Sequence, residues 1–204
     1  NEDHVFLIKD VANQLGIANE QISNHERILA LSRTDSMTGL LNRRAFYEED
    51  LPRRISRLRR SQEKAALFFV DMDNFKQVND MHGHQAGDDA ILVLRDLLMD
   101  ISRPGDVIAR LGGDEFAMWL DGISPEVTKK RAADLMKASD CLLEFSGDKN
   151  NPLGISVGVA IFNPVDNEPL EELVARADEA MYQVKNANKG GFRMATFPAT
   201  RKNQ

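Results

Sequence analysis

A single cysteine, Cys141, in 204 residues excludes an internal disulfide and fits a reducing compartment, where its expected place is that of a small core residue. No apolar run approaches the ~18 residues of a membrane span, and the first residues lack the basic-then-apolar pattern of a secretory signal. The expectation is a cytoplasmic segment without membrane contact, with attachment of a longer parent protein left open. Basic charge is also scarce: 26 Lys and Arg against 32 Asp and Glu give a net charge of −6. That balance argues against a nucleic-acid polymer or an anionic membrane as the main partner, because both reward a basic face. A small anionic ligand then needs a local remedy, either a metal ion or a few placed Lys and Arg side chains. Low-complexity segments and internal repeats are absent as well.

What the chain does have is a hydrophobic share of 42%, enough for one good core with length left for an appendage. It starts at Asn1 rather than Met, which suggests a piece of something longer. Residues 1–31 stand apart. Ile8, Val11, Leu15, Ala18, Ile22, His25 and Leu29 fall at alternating three- and four-residue steps, the seam of a two-stranded coiled coil or of a helix packed on its own domain. His25 on the seam and Gly16 beside it weaken a zipper and suit a helix that transmits a signal. Residues 32–197 read as the main domain and 198–204 as a tail.

Within the main domain, Gly39 breaks the pattern after a turn that Asp35 or Ser36 can cap, and "FYEEDLPRRISRLRR" predicts a helix. Its arginines, Arg57 among them, read as a solvated face. "KAALFFVDMD" is a buried strand whose apolar run ends at Asp71, and residues 74–101 are helical with a Gly-rich interruption. "DVIARL" and "EFAMWLDG" are two strands joined across Gly112 and Gly113 as a hairpin. A helix over 125–143, a strand over 154–162, a helix over 170–187 and a strand over 191–197 complete the chain. An antiparallel hairpin among helix-crossed strands predicts an α+β fold, a mainly antiparallel central sheet with packed helices, related to the ferredoxin-like split βαβ arrangement.

Asp71 ends one strand, and Asp114 with Glu115 occupies the turn joining the next two. If these strands are sheet neighbours, three carboxylates converge and repel one another unless a cation neutralises them. An all-oxygen set without clustered His or Cys suits Mg²⁺ or Mn²⁺ rather than zinc. Gly112 and Gly113 permit positive φ and leave no Cβ in the way of a ligand lying across the hairpin. The hairpin alone reads equally as an ordinary exposed turn.

"RLGGDEF" (110–116), with "VDMDNFKQVNDMHGHQAGDDAI" (70–91) upstream, resembles the GGDEF family of diguanylate cyclases. "DSMTGLLNRRAF", "ISVGVA" and "ADEAMYQVKNA" match the family's other landmarks in order, so the resemblance covers residues 32 to 197. It implies a palm-type nucleotidyl cyclase fold and the condensation of two GTP into cyclic di-GMP with release of two pyrophosphates. It places Mg²⁺ on Asp71, the Met72 carbonyl and Asp114, with Glu115 in support and Asp114 as the assigned base. It assigns guanine to Asn79 and Asp88, with His84 nearby. The triphosphate falls to the backbone at Asn74 and Phe75, a helix N-terminus that favours anions, and to Lys76 and Lys185. Read without the family, Asn79 and Asp88 are possible helix caps and the lysines solvated charges. Gly112 and Gly113 flank the nucleotide. After Lys185 the family commonly has Gly-Arg-Asn, whereas this chain has Asn188, Lys189 and Gly190, so Lys189 stands where an arginine would contact phosphate.

Arg103 and Asp106 form the Arg-x-x-Asp pair that in this family is an inhibitory product site, with Arg57 as an extra arginine in some members. In an arbitrary chain such a pair is a surface ion pair worth under ~1 kcal/mol. Since one domain holds one GTP, the resemblance implies a catalytic homodimer, for which the N-terminal seam supplies proximity, and a sensory domain upstream. The competing expectation is a silent module that binds cyclic di-GMP or GTP without turnover.

Overall fold

Nine consecutive residues, Ala65–Asp73, are all buried, which a strand sustains when it is paired on both edges and covered on both faces. In the computed structural model, which describes residues 33–196, this strand (β2) lies inside a six-stranded sheet. The other strands are β1 (Leu41–Asn42), β3 (Val107–Gly112), β4 (Glu115–Asp121), β5 (Gly154–Phe162) and β6 (Gly191–Met194). The sheet order is β1-β3-β4-β2-β5-β6. β2 is antiparallel to both β4 and β5, and β3 to β4; the outer pairs, β1 with β3 and β5 with β6, are parallel. The expected α+β fold with a mainly antiparallel sheet is therefore the one present.

Five helices pack on this sheet: α1 (Leu51–Ser61), α2 (Phe75–His82), α3 (His84–Asp100), α4 (Pro125–Ala138) and α5 (Leu170–Ala187). The two-residue period of β2 divides them into two cores. Ala66, Phe68, Val70 and Met72 meet Val78, Ile91, Leu94 and Leu135 of α2, α3 and α4. Ala65, Leu67 and Phe69 meet Leu51, Ile55 and Leu58 of α1 and Leu173, Ala177 and Met181 of α5. Each such Leu, Phe or Met contributes about 1.5–3 kcal/mol by leaving water. Asp71 and Asp73, continuing the odd-numbered series, fall on the α1 and α5 side of the sheet.

The structure departs from expectation at four places. The helix expected from Phe46 opens with a wider π turn, Ala45–Asp50, and regular α geometry starts at Leu51 beside Pro52. Proline has no N–H to donate and belongs in a first turn rather than an interior. The helix expected over 125–143 ends at Ala138, and the tighter 3₁₀ turns of Ser139–Phe145 bury Leu142 while leaving Cys141 exposed. Cys141 is thus not the core residue it was expected to be. The last strand stops at Met194, and β1 was not anticipated. The coiled-coil seam of residues 1–31 and the tail 198–204 lie outside the described residues. Among those described, no helix is long and apolar enough to cross a membrane.

Candidate active site

The register of β2 with β4 sets Asp71 directly opposite Glu115, and β5 sets Ser156 opposite Asp71 on the other side. The strand does not end at Asp71, since Met72 and Asp73 pair onward with Ile155 and Gly154. The turn carrying Asp114 is clamped by Arg110, whose Nε and Nη2 donate to the Gly113 carbonyl at 2.9 and 2.7 Å. Arg110 Nη1 donates to Asp35 Oδ1 at 3.1 Å, and the Thr38 amide caps the same oxygen at 2.9 Å. Gly113 has φ of 53°, a conformation that a β-carbon strains. The Asp114 carbonyl accepts from the Met72 amide at 3.3 Å, tying the turn to β2.

Asp71 is 4% exposed and its Oδ1 is fully enclosed. The Lys185 ammonium sits 2.5 Å from that oxygen, a direct charge contact from α5 to β2. Burial pushes the Asp71 carboxyl up to about 6; the carboxylates of Asp114 and Glu115 push the same way, and Lys185 opposes them. A buried carboxylate with two further carboxylates near it and a single cation against it is a fitting anchor for a divalent ion. Among the described residues no three His, Cys, Asp or Glu side chains form a ready-made cage. The anionic groups that act on Asp71 are the carboxylates of Asp114 and Glu115, the ligand type that Mg²⁺ takes one or two of before completing its shell with water and phosphate.

The remaining predicted residues form two further groups. Asn74 opens α2 in a left-handed conformation (φ 63°), its Nδ2 donating to the Pro152 carbonyl at 2.8 Å and its Oδ1 accepting from Lys189 Nζ at 2.7 Å. They border a cleft of about 270 Å³. Lys76 is exposed on the first turn of α2, and Phe75 packs against the core. Asn79 of α2 lies over Gly87 of α3, its Oδ1 only 2.1 Å from where a β-carbon on Gly87 would stand. Asp88 follows Gly87, and His84 is exposed at the start of α3. Neither Asn79 nor Asp88 caps a helix with its side chain, and both are half-buried where α2 meets α3. No hydrogen bond or ion pair among the described residues links this corner to the carboxylates.

The Arg-x-x-Asp pair closes the turn after α3. The Arg103 amide and Nε donate to Asp106 at 3.1 and 3.3 Å, and the guanidinium also donates to the Asp121 carbonyl. Arg54 and Arg57 of α1 both grip the Asp121 carboxylate, so three arginines surround one cleft of about 340 Å³. A larger cleft of about 620 Å³ lies between the π turn of Ala45–Asp50 and α5, with Glu115 and Asp178 on its wall. Sequence reasoning missed Asp73, whose carboxylate is buried and hydrogen bonded, and the clamping role of Arg110. The second carboxylate of "VDMD" was the available signal for Asp73; nothing marked Arg110 before its partners were known.

Comparison with known proteins bears on the family and the fold. The family model described as "Diguanylate cyclase, GGDEF domain" matches residues 32–191. The chain is 35% identical to diguanylate cyclase DgcM of Escherichia coli over 167 residues, which are 82% of this chain but 39% of that protein. Among solved structures it resembles the coiled coil and GGDEF domain of DgcB from Caulobacter crescentus, a complex with c-di-GMP. There the TM-score is 0.70 at 26% identity, covering 93% of this chain and 99% of that one. The isolated GGDEF domain of TpbB from Pseudomonas aeruginosa gives a TM-score of 0.71 at 32% identity, covering 80% and 94%. With that family model matched over residues 32–191 and a diguanylate cyclase 35% identical over 82% of the chain, the chain belongs to the GGDEF domain family of diguanylate cyclases.

Proposed function

We propose that this chain condenses two GTP into cyclic di-GMP, releasing two pyrophosphates, and that the Asp71–Glu115 cross-strand pair carries the reading. Held by Asp71, the Met72 carbonyl and Asp114, with Glu115 beside them, Mg²⁺ or Mn²⁺ supplies charge neutralisation and Lewis-acid stabilisation at the phosphates. Lys185 is already drawn to the same negative charge and turns to the incoming phosphates. Asn74 and Phe75 present the start of α2, with Lys76 and Lys189 as flanking charges. Asp88 accepts from guanine N1 and N2 together, Asn79 reads the remaining polar edge, and His84 adds a contact; adenine lacks those two donors.

In each half-reaction a 3′-oxygen forms a bond to an α-phosphorus, the bridge to the β-phosphate breaks, and pyrophosphate leaves. The hydroxyl proton passes to Asp114 or to water. One domain holds one GTP, so two copies must face each other. An ordinary carboxylate is too weak a base to carry such a reaction alone, so alignment and charge stabilisation supply most of the acceleration. The decisive assay incubates the chain with GTP and Mg²⁺ and follows cyclic di-GMP and pyrophosphate. No product at concentrations that permit pairing returns the domain to a silent binding module. Equal use of ATP removes the guanine assignment.

The Asp71 carboxyl also sets a pH dependence. Its folded value of about 6 lies above the ordinary 3.8, so the folded domain keeps a proton that the unfolded chain has lost in that window. Stability therefore falls as pH rises from the ordinary value through about 6 and is level above it. A cation needs the ionised form, so below about 6 it must displace that proton. The Mg²⁺ concentration for half-maximal turnover is expected to rise about tenfold per pH unit below this value and to be flat above it. A Mg²⁺ titration from acid to neutral pH checks this; a flat requirement throughout removes Asp71 as a ligand.

Arg103, Asp106 and Arg57 are read as the site where product inhibits, guanine and phosphate being matched by the guanidinium forks. Arg103→Ala is expected to keep turnover and to raise the inhibitory concentration of cyclic di-GMP about tenfold or more. Product-inhibition curves of the two proteins decide it; superimposable curves make the pair an ordinary loop clasp.

A further inference from the structure

Asp73 stands two residues beyond Asp71 on β2 and is 3% exposed. Both of its oxygens are occupied by donors. Ser156 Oγ, buried on β5, lies 2.8 and 3.0 Å from them, and the Gly190 amide donates to Oδ2 at 2.8 Å. A buried carboxylate satisfied in this way is fixed in orientation, and removing its donors or acceptors leaves costly unpaired groups. The Gly190 bond runs from the middle of the sheet to the turn that ends α5.

That turn is strained. Lys189 and Gly190 are both left-handed, with φ of 53° and 59°, a conformation costing a lysine roughly 1–2 kcal/mol. The surroundings hold it: the Lys189 amide donates to the Val184 carbonyl at 3.1 Å, and the next amide is pinned by Asp73. In this conformation the Lys189 ammonium reaches Asn74 at the start of α2. Lysine acts on phosphate as a point charge and lacks the fork with which arginine bonds phosphate from two sides, so its backbone placement matters more.

We propose that Asp73 is a positioning residue for the nucleotide: by holding the left-handed Lys189–Gly190 turn it places the Lys189 ammonium beside Asn74, where it meets the triphosphate. The proposal rests on the reading above that GTP phosphates lie at the start of α2. It separates the two carboxylates of "VDMD" by role, Asp71 facing a cation and Asp73 bracing the helix end. Donors on both Asp73 oxygens argue against its being a further cation ligand.

Equilibrium binding to the full chain, at fixed Mg²⁺, of 3′-deoxy-GTP, which cannot cyclise, and of GMP tests this. Asp73→Ala is expected to weaken 3′-deoxy-GTP about tenfold or more and to leave GMP unchanged. In a Lys189→Ala background the same substitution is expected to add nothing, because its effect passes through that lysine. Asp73→Asn, which keeps an acceptor for the Gly190 amide and a donor for Ser156, is expected to restore most of the affinity. Additive losses in the double variant, an equal loss for GMP, or an Asn variant as impaired as Ala overturns the proposal. Should Asp73→Ala not fold, hydrogen exchange of the Gly190 amide in the unaltered chain and the Lys189→Ala selectivity decide instead. Fast exchange there, or a Lys189→Ala loss shared by GMP, overturns it. Failure of the unaltered chain to bind either nucleotide is a different result, one that removes the GTP reading itself and the proposal with it.

Discussion

Asp114→Ala is expected to lower cyclic di-GMP formation by roughly a thousandfold or more while leaving the domain folded. The two halves of this expectation have separate causes. The fold uses the backbone of Asp114, whose carbonyl accepts from the Met72 amide, and alanine keeps that bond. The turn itself is held by Arg110 on the Gly113 carbonyl, which the substitution does not touch. Among the described residues no hydrogen bond ends on the Asp114 carboxylate, so its removal leaves no buried donor unpaired. What disappears is negative charge beside Asp71, one of the causes that raise the Asp71 carboxyl. Pyrophosphate release under single-turnover conditions, with thermal unfolding as control, measures both halves. Turnover within about tenfold of the unaltered chain means that the cation and the 3′-hydroxyl are handled elsewhere.

Gly158→Ala is the substitution expected to damage the fold most. Gly158 lies on β5 where α5 crosses it, and a β-carbon there would stand 2.0 Å from the Ala177 carbonyl and 2.4 Å from the Met181 amide. Both obstacles are helix backbone, so no side-chain rotation relieves them. The helix must move off the sheet, losing part of the contact that Leu173, Ala177 and Met181 make with Leu67 and Phe69. Overpacking of this kind costs about 3 kcal/mol or more, a large share of a stability of roughly 5–15 kcal/mol. The midpoint of thermal unfolding should fall by roughly 6–12 °C. Because α5 carries Lys185 onto Asp71, nucleotide affinity should fall with it. Denaturant unfolding gives the number, and a change below about 0.5 kcal/mol means that α5 is free to shift.

Much of this was readable from residues whose signal is local. The period of β2, the hairpin at Gly112 and Gly113, and the break at Gly83 follow from backbone rules that act within a few positions. The convergence of Asp71 with Glu115 was conditional on strand adjacency, and the register supplies that condition. Features that depend on distant partners were not legible. β1 is two residues long, too short for any periodicity, and exists because β3 offers it a free edge. Arg110 finds Asp35 only through the tertiary fold, and Asp73 finds Gly190 in the same way. Cys141 was misplaced because its expected burial rested on residue type alone, and the 3₁₀ turns of Ser139–Phe145 turn Leu142 inward and leave Cys141 exposed. Asn79 and Asp88 lie on helices with the expected break at Gly83, yet their side chains cap neither.

The central position of β2 also bears on how the domain comes to exist. Both of its neighbours arrive from far along the chain, β4 after two helices and β5 after a further one. Closing such loops is entropically slow, whereas the α2–α3 pair forms from neighbours in sequence. Asp71 and Glu115 therefore meet only through a contact distant in sequence. A ligand that bridges them meets its site only once the sheet has closed, so it binds the native state and not the unfolded chain. For this domain, occupancy of the site shifts the balance toward the native state.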